Sequence, residues 1–289
     1  MKTGIIGLGA MGVHMAKNLL EAGLLHTIFN RTLSKAEKFK KQSSCYISVS
    51  PAALASECQL IIISVSRDED VLDVVNEIIT TIKSGSVVVD TSTVSSDTAK
   101  KAADLLSNVD SYFLDAPVSG GVEGAKNGTL AMMVGGKEEI LNKIRPVINV
   151  IAKNIMYIGP SGSGQATKAV NQIMAAGINQ AVTEALAFGE AMDLPMEKVI
   201  EIISTGAAGN WFLNHRGSTM LSGKFEPGFK LDLHHKDLSI CQTMVSSISE
   251  NALPIIEMTQ IHYKKLIEQG YGDEDISALF RLKQKSFIN

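Results

Sequence analysis

The chain has few cysteines, and none of them is arranged for a disulfide framework or a metal. Among 289 residues there are three, Cys45, Cys58 and Cys241, and no two of them form a CxxC pair. An odd number of scattered cysteines fits a reducing compartment and argues against a zinc site. We therefore expect a cytoplasmic protein that needs no metal.

An excess of charge and long apolar runs are missing as well. The 27 basic and 30 acidic side chains give a formal charge of -3, so no basic field favours nucleic acid as a partner. No apolar run approaches the roughly 20 residues of a membrane span, and we expect neither a signal peptide nor a membrane partner. The 45% hydrophobic content allows a full core in one large or two medium domains.

Apolar strands and amphipathic helices alternate through the first half of the chain. We predict helices over residues 11–21, 33–41 and 68–80, and strands over residues 3–7, 27–30, 60–64, 86–90, 112–115, 130–134 and 155–158. This alternation is typical of an α/β fold with a doubly wound, mostly parallel sheet. After the glycine and serine stretch at 159–164 only helical patterns follow, so we predict domains over residues 1–162 and 163–289.

A glycine-rich turn follows the first predicted strand and opens the first helix. It consists of Gly7, Leu8, Gly9, Ala10, Met11 and Gly12. Gly7 permits a tight turn, Gly9 lets the backbone approach a pyrophosphate, and Gly12 lets the helix pack closely on the strand. The helix N-terminus offers N–H groups to the same anion. A strand before the motif and a helix after it predict a dinucleotide-binding Rossmann domain rather than a merely structural turn.

The end of the second predicted strand bears on which nicotinamide dinucleotide binds. An Asp or Glu there would bind the ribose hydroxyls and repel a 2′-phosphate. This chain instead has Asn30 and Arg31, followed by Thr32. Arg31 can pair with a phosphate, although a solvated surface arginine would look the same. We predict NADP(H) as the cofactor, with NAD(H) possible.

Two more strand ends should border the cofactor, because ligands of open α/β sheets bind at the carboxyl ends of strands. One loop carries Val65 and Ser66, and the other carries Thr93. Ser95 and Ser96 in the second loop fit a helix cap instead.

Two clusters carry the candidate chemistry. In the first, Ser119, Gly120 and Gly121 follow a strand and can present backbone N–H groups to a carboxylate, although a plain turn fits equally. In the second, Lys168 is followed at i+3 and i+4 by two amides, Asn171 and Gln172, which share its helix face. The positive end of a helix dipole disfavours the ammonium form, which suits a general acid and base, whereas an exposed lysine is the alternative.

Together these motifs resemble the β-hydroxyacid dehydrogenase family, which includes 3-hydroxyisobutyrate dehydrogenase, tartronate semialdehyde reductase and the glyoxylate and succinic semialdehyde reductases. The likeness covers nearly the whole chain. It rests on GLGAMG at 7–12, DTSTVS at 90–95, DAPVSGGVEGAKNGTL at 115–130, GSGQATKAVNQ at 162–172 and KDL at 236–238. The resemblance implies a Rossmann domain joined through a long helix to a helical domain for substrate binding and oligomerisation.

The resemblance also implies roles for individual residues. Lys168 would be catalytic, residues 119–121 and Asn171 would contact substrate, and Thr93 and Lys236 would lie near the nicotinamide. NRTLSK at 30–35 is similar to the NADPH-using semialdehyde reductases. The family often has Asn four residues after the lysine, where this chain has Gln172. Either Asn171 serves alone or Gln172 replaces the second amide.

We therefore predict an oxidoreductase that transfers a hydride between NADP(H) and a small 3-hydroxyacid or the corresponding semialdehyde, as 3-hydroxyisobutyrate dehydrogenase does. An NADPH-dependent glyoxylate or succinic semialdehyde reductase is the alternative, followed by a non-catalytic dinucleotide-binding module. A homodimer or homotetramer is expected, because family members are usually oligomers. His234 and His235 are interpreted as surface or pocket residues, and Trp211 as a pocket wall or a core residue.

Overall fold

The computed structural model describes residues 1–41 and 43–287. Two compact units make up the chain, Met1–Lys168 and Ala169–Asn289. The predicted domain division, between residues 162 and 163, lies at the start of a long helix, Ser163–Ala191, whereas the two units divide within that helix, between residues 168 and 169. The domain bounds and the separate function of each domain remain predictions. In the described part of the chain, no helix combines the length and apolar character needed to cross a membrane.

A sheet organises the first unit, and nine strands form it within the described residues. In chain order these are β1 (Thr3–Ile6), β2 (Leu25–Phe29), β3 (Tyr46–Ile47), β4 (Leu60–Ile63), β5 (Val87–Asp90), β6 (Tyr112–Asp115), β7 (Val118–Ser119), β8 (Leu130–Gly135) and β9 (Ala152–Gly159). Their spatial order is β3-β2-β1-β4-β5-β6-β8-β7, with β9 beside β8.

The first six strands are parallel, which confirms the predicted doubly wound sheet. Beyond them, β8 runs antiparallel to β6 and to β7, and β9 runs parallel to β8. The strand order reverses between β1 and β4, which is the point where ligands bind in sheets of this type. The glycine turn follows β1 and therefore lies at that point.

The central strands are buried on both faces, so their sequences are continuous apolar runs rather than alternating ones. Every residue of β1, β4 and β5 is buried. Alternate residues of β1 still separate, because Ile5 belongs to the core on one face and Ile6 to the core on the other. These two apolar layers hold the strand ends, and hence the loops that follow them, in place.

Helices cover the sheet and then form the second unit. In chain order they are α1 (Gly12–Glu21), α2 (Leu33–Lys40), α3 (Pro51–Glu57), α4 (Asp68–Ile78), α5 (Ser96–Ser107), α6 (Gly121–Asn127), α7 (Glu138–Ile148), α8 (Ser163–Ala191), α9 (Met196–Ser204), α10 (Trp211–Leu221), α11 (Leu231–Ser246), α12 (Pro254–Glu268) and α13 (Leu279–Lys285), with a 3-10 turn at Ile276–Ala278. The predicted all-α character of the C-terminal part is confirmed. Its core includes the fully buried Tyr263 and Phe280.

Candidate functional site

The three glycines of the turn have different surroundings. Gly7 has φ +99°, and a Cβ there would collide with the backbone oxygen of Ser64. A Cβ at Gly12 would collide with the backbone oxygen of Gly7. At Gly9, by contrast, an added Cβ would meet no described atom within 4 Å. Gly7 and Gly12 are therefore needed for folding, whereas the space over Gly9 is open to a ligand.

Asn30 holds the glycine turn in place, a role that the sequence analysis missed. Its Oδ1 accepts a hydrogen bond from the backbone N–H of Leu8 at 2.8 Å, and its Nδ2 donates to the backbone oxygen of Thr32 at 2.9 Å. The backbone N–H of Gly7 donates to Phe29 at 2.9 Å. The end of β2 thus anchors the turn after β1, and a polar residue directly after an apolar strand was the signal available for it.

The surroundings of the turn suit an anion. In the described part of the chain, helix α1 has no side-chain cap and no acidic residue in its first turn, so the positive end of its dipole is not offset. Arg31 is 86% exposed and pairs with Asp70 in the first turn of α4, with Nη1 2.8 Å from Oδ1. Thr32 is exposed beside it.

The loops after β4 and β5 are bonded to each other. The backbone N–H of Val65 donates to Ser92 Oγ at 2.9 Å, and Ser92 N–H donates to Asp90 Oδ1 at 3.0 Å. Asp90 is fully buried, its Oδ2 has no partner among the described residues, and burial raises its pKa to about 6. Ser66 is exposed and Thr93 is half-buried.

Lys168 lies against the loop that contains Ser119, Gly120 and Gly121. Its side chain is only 7% exposed, and Nζ donates to the backbone oxygen of Val118 at 2.9 Å. Val118 is followed by Ser119, Gly120 and Gly121, of which the glycines have φ +127° and +61°. Such backbone angles are typical of glycine. The fold therefore brings together two motifs that lie 50 residues apart in sequence.

The start of α8 is fixed by two side chains that were not predicted as site residues. Asp115 Oδ1 accepts from the backbone N–H of Gly162 at 2.8 Å, and its Oδ2 accepts from that of Gln165 at 3.0 Å. Burial raises the pKa of Asp115 although these bonds oppose the shift. The Gln165 side chain in turn bonds to the backbone of Ser92 and Val94. Asp115 and Gln165 thus set the position of Lys168, one turn further along the helix.

In the second unit, the amides after the lysine are bonded to an ion pair of which only the carboxylate is buried. Asn171 Nδ2 donates to Gln172 Oε1 at 2.8 Å, and Gln172 Nε2 donates to Asp237 Oδ2 at 2.6 Å. Asp237 Oδ1 lies 2.9 Å from Lys236 Nζ. Asn171 is half-buried, whereas Gln172 and Asp237 are 2% and 3% exposed. Lys236, Asp237 and the two amides therefore form one connected group.

The two adjacent histidines differ in environment. His234 is fully buried, so its interpretation as a surface residue is wrong. Its Nδ1 lies 3.0 Å from the Tyr263 hydroxyl and its Nε2 lies 3.1 Å from the backbone oxygen of Gln172. His235 is half-buried, and burial lowers its pKa. No cluster of three or more His, Cys, Asp or Glu suited to a metal occurs among the residues described.

Trp211 is not a core residue, because 58% of it is exposed. It begins α10 and stacks on His215, with the ring centroids 4.2 Å apart. Its predicted place in a pocket wall remains a prediction.

Two protein-family models match the chain in succession. Residues 2–159 match the NAD-binding domain of 6-phosphogluconate dehydrogenase, and residues 162–283 match the NAD-binding domain described for NADP-dependent 3-hydroxyisobutyrate dehydrogenase. Together with the fold, these matches make the chain an NAD(P)-dependent oxidoreductase.

Individual relatives narrow this class. The chain is 35% identical to 2-hydroxy-3-oxopropionate reductase of Escherichia coli, over 96% of each chain. It is 32% identical to NAD-dependent L-serine dehydrogenase of Pseudomonas aeruginosa, again over 96% of each. The solved structure of Mycobacterium tuberculosis 3-hydroxyisobutyrate dehydrogenase with L-serine has a TM-score of 0.87 and 29% identity, covering 97% of this chain and 98% of that one. The chain belongs to the 3-hydroxyisobutyrate dehydrogenase family of NAD(P)-dependent β-hydroxyacid dehydrogenases.

Proposed function

We propose that the protein interconverts a small 3-hydroxyacid and its semialdehyde with NADP(H), using Lys168 as the general acid and base. The observation that carries this proposal is the position of the buried Lys168. Its Nζ lies 2.9 Å from the backbone oxygen of Val118, directly before Ser119 and the two glycines. A lysine that served only as a solvated helix residue would not be buried against a turn of this kind.

The residues of the first unit fit a dinucleotide. The open space over Gly9 and the uncapped N-terminus of α1 suit a pyrophosphate, and the exposed Arg31 suits a 2′-phosphate. Val65, Ser66 and Thr93, at the ends of β4 and β5, are proposed to border the ribose and nicotinamide. When bound, the nicotinamide supplies or accepts the hydride.

The protein's own groups would handle binding and the proton. Backbone N–H groups from Ser119 to Gly121 would hold the substrate carboxylate, and Asn171 would orient the hydroxyl or aldehyde oxygen. In oxidation, the neutral amine of Lys168 takes the hydroxyl proton as the hydride leaves the carbon that bears this hydroxyl. In reduction, the ammonium returns a proton to the aldehyde oxygen. We further propose that Lys236 contributes to the nicotinamide end of the site.

The substrate assignment is supported by the names of two relatives. The Escherichia coli relative is named for 2-hydroxy-3-oxopropionate and the Pseudomonas relative for L-serine, and both are three-carbon carboxylates with an oxygen function on carbon 3. An NADPH-dependent glyoxylate or succinic semialdehyde reductase is the second candidate, supported by Asn30 and Arg31 after β2. Rates with a panel of 3-hydroxyacids and aldehyde acids, each with both cofactors, would separate the two.

The decisive test changes Lys168. Lys168→Met should lower turnover by at least about 10²-fold, because general acid and base groups contribute roughly 10² to 10⁴-fold. Lys168→Arg should be nearly as damaging, because a guanidinium keeps its proton at working pH. The control is Lys101→Met, which changes an exposed lysine of α5 and should leave turnover intact. Melting curves and NADPH fluorescence titrations would show that each variant still folds and binds. A Lys168→Met enzyme with near-normal turnover would rule out the proposed role.

We also propose that a second copy of the chain is the partner of α8. Val170, Met174 and Phe188 are 54% to 61% exposed, and their spacing places all three on one side of the helix. Met192, directly after the helix, is 58% exposed. An apolar stripe of this kind is typical of an interface. Light scattering should give a dimer or tetramer, and Met174→Glu should weaken it. A 31.0 kDa particle at all concentrations would contradict this, as it would the predicted homo-oligomer.

We further propose that the protein is located in the cytoplasm.

A further inference from the structure

The orientation of the Asn171 amide follows from the charged pair at the other end of its hydrogen-bond chain. Asp237 lies 2.9 Å from the Lys236 ammonium and, as a carboxylate, can only accept hydrogen bonds. The Gln172 atom 2.6 Å from Asp237 must therefore be the amide nitrogen. The polarity of Gln172 is thus set by chemistry.

The same reasoning extends one residue further. With its nitrogen on Asp237, Gln172 turns its carbonyl oxygen toward Asn171, 2.8 Å away. An oxygen requires a donor, so Asn171 must turn its nitrogen inward. This leaves the Asn171 carbonyl oxygen and one N–H facing away from Gln172. A flip of the Asn171 amide would place its oxygen against the Gln172 oxygen.

The backbone beneath this chain is held as well. His234 Nε2 lies 3.1 Å from the backbone oxygen of Gln172, and its Nδ1 lies 3.0 Å from the Tyr263 hydroxyl. That hydroxyl accepts a hydrogen bond from Asn179 at 2.9 Å. Since Gln172 and Asp237 are almost fully buried, water does not compete for these bonds, and the arrangement should be rigid.

We propose that Gln172 is a positioning residue: held by Asp237 of the Lys236–Asp237 pair, it fixes which way the Asn171 amide faces. Gln172 does not itself bind substrate. This inference rests on the proposed function, in which Asn171 orients the reacting oxygen. It decides between the two alternatives left by the sequence: Gln172 does not replace a missing substrate amide, because its nitrogen and its oxygen are both engaged within the protein. An asparagine at 172, shorter by about one carbon–carbon bond of 1.5 Å, would not span the distance from Asn171 to Asp237.

The test replaces the Gln172 amide nitrogen, which donates to Asp237, with an acceptor. In Gln172→Glu, an oxygen replaces the nitrogen next to Asp237, so two buried carboxylates must share a proton. At low pH the shared proton replaces the lost N–H, and at high pH the two charges repel. We expect kcat/KM for the hydroxyacid, relative to wild type, to fall at least tenfold between pH 6 and pH 9, with the KM for NADPH changed less than threefold.

Several other titratable groups surround this position. Lys236 and His234 come from α11, Tyr263 comes from α12, and Lys168 lies one turn earlier on α8 itself. All of them are present in wild type as well, so the ratio of variant to wild type isolates the new carboxylate. Gln172→Met, which loses both hydrogen bonds without adding a charge, should lower kcat/KM by a similar factor at every pH.

A matched control lies eight residues further along α8. Gln180 is also buried, at 4% exposure, and its Nε2 bonds to Thr259 and His262. Gln180→Glu therefore adds a carboxylate to the same helix without touching Asn171 or Asp237. Its kcat/KM ratio to wild type should not show the tenfold fall.

A second measurement needs no substrate. The folded Gln172→Glu protein holds a proton that the unfolded chain releases, so its melting temperature relative to wild type should drop as the pH rises from 5 to 9. If the wild-type protein had no dehydrogenase activity, the proposed function would be overturned. The pH dependence of the melting temperature would then still test the inference about Gln172. A Gln172→Glu protein with wild-type kcat/KM and melting temperature at every pH would overturn the inference alone.

Discussion

Arg31 provides the sharpest test of cofactor choice, because only NADPH carries the phosphate that it would bind. A charge-assisted hydrogen bond contributes about 1.5 to 3 kcal/mol. Arg31 is 86% exposed and already pairs with Asp70 at 2.8 Å, so we expect a net loss of about 1 to 2 kcal/mol in Arg31→Ala after solvent screening. That loss corresponds to a rise of roughly 5- to 30-fold in the KM for NADPH.

Asp70 makes the prediction more specific. Its carboxylate would lie close to any phosphate that contacts Arg31, and two like charges near a protein surface repel each other. Asp70→Asn should therefore lower the KM for NADPH by about two- to fivefold, a change of about 0.4 to 1 kcal/mol. In an Arg31→Ala background the same substitution should have a smaller effect, because the two side chains are coupled.

The assay measures initial rates against each cofactor at saturating substrate, supported by fluorescence titration of NADPH and NADH. The NADH constants should change less than twofold in every variant. Higher ionic strength should reduce the difference between wild type and Arg31→Ala, since exposed charges are screened by salt. Equal losses for both cofactors in Arg31→Ala would refute the assignment of Arg31 to the 2′-phosphate, and a higher KM in Asp70→Asn would refute the repulsion.

Other consequences concern stability and the glycine turn. The raised pKa of Asp90, about 6, means that the folded protein keeps a proton that the unfolded chain loses near pH 4. The free energy of unfolding should therefore fall by roughly 2 kcal/mol between pH 4 and 7 from this group, and urea titrations of Asp90→Asn should lack this dependence of the unfolding free energy on pH. Gly9→Ala should melt like wild type but raise the KM of both cofactors, whereas Gly12→Ala should lose thermal stability because its methyl group meets the Gly7 backbone oxygen. Normal melting of Gly12→Ala would contradict that geometry.

The fold was largely predictable because its signals are local. A buried strand, a glycine turn and a helix occupy consecutive residues, and β1, β4 and β5 are apolar runs flanked by loop residues. The reversal of β8 was not predicted, since a six-residue strand has the same apolar pattern in either direction. The very short strands β3 and β7 carry too few residues for a pattern.

The site was less predictable because its parts depend on contacts between distant residues. Asn30 bonds to a residue 22 positions away, Asp115 to one 50 positions away, and Gln172 to one 65 positions away. In the sequence, Asp115 looks like the end of a strand, and Gln172 looks like one more polar residue on a helix face. Their hydrogen bonds place them next to the residues that the motifs indicate: Asp115 binds the start of the helix that carries Lys168, and Gln172 binds Asn171.

The hydrogen bond from Leu8 to Asn30 has a consequence for how such an enzyme changes its cofactor. The atom of Asn30 that accepts this bond is its side-chain oxygen, and an aspartate would offer an oxygen in the same position. Asn30→Asp therefore keeps the anchor of the glycine turn but loses the bond to the Thr32 backbone oxygen, which would then face a carboxylate oxygen. If the proposed NADP(H) assignment is correct, this exchange of one nitrogen for one oxygen places a carboxylate where it would repel the 2′-phosphate. We therefore expect a single codon change at this position to alter the cofactor preference while the hydrogen bond from Leu8 still holds the glycine turn.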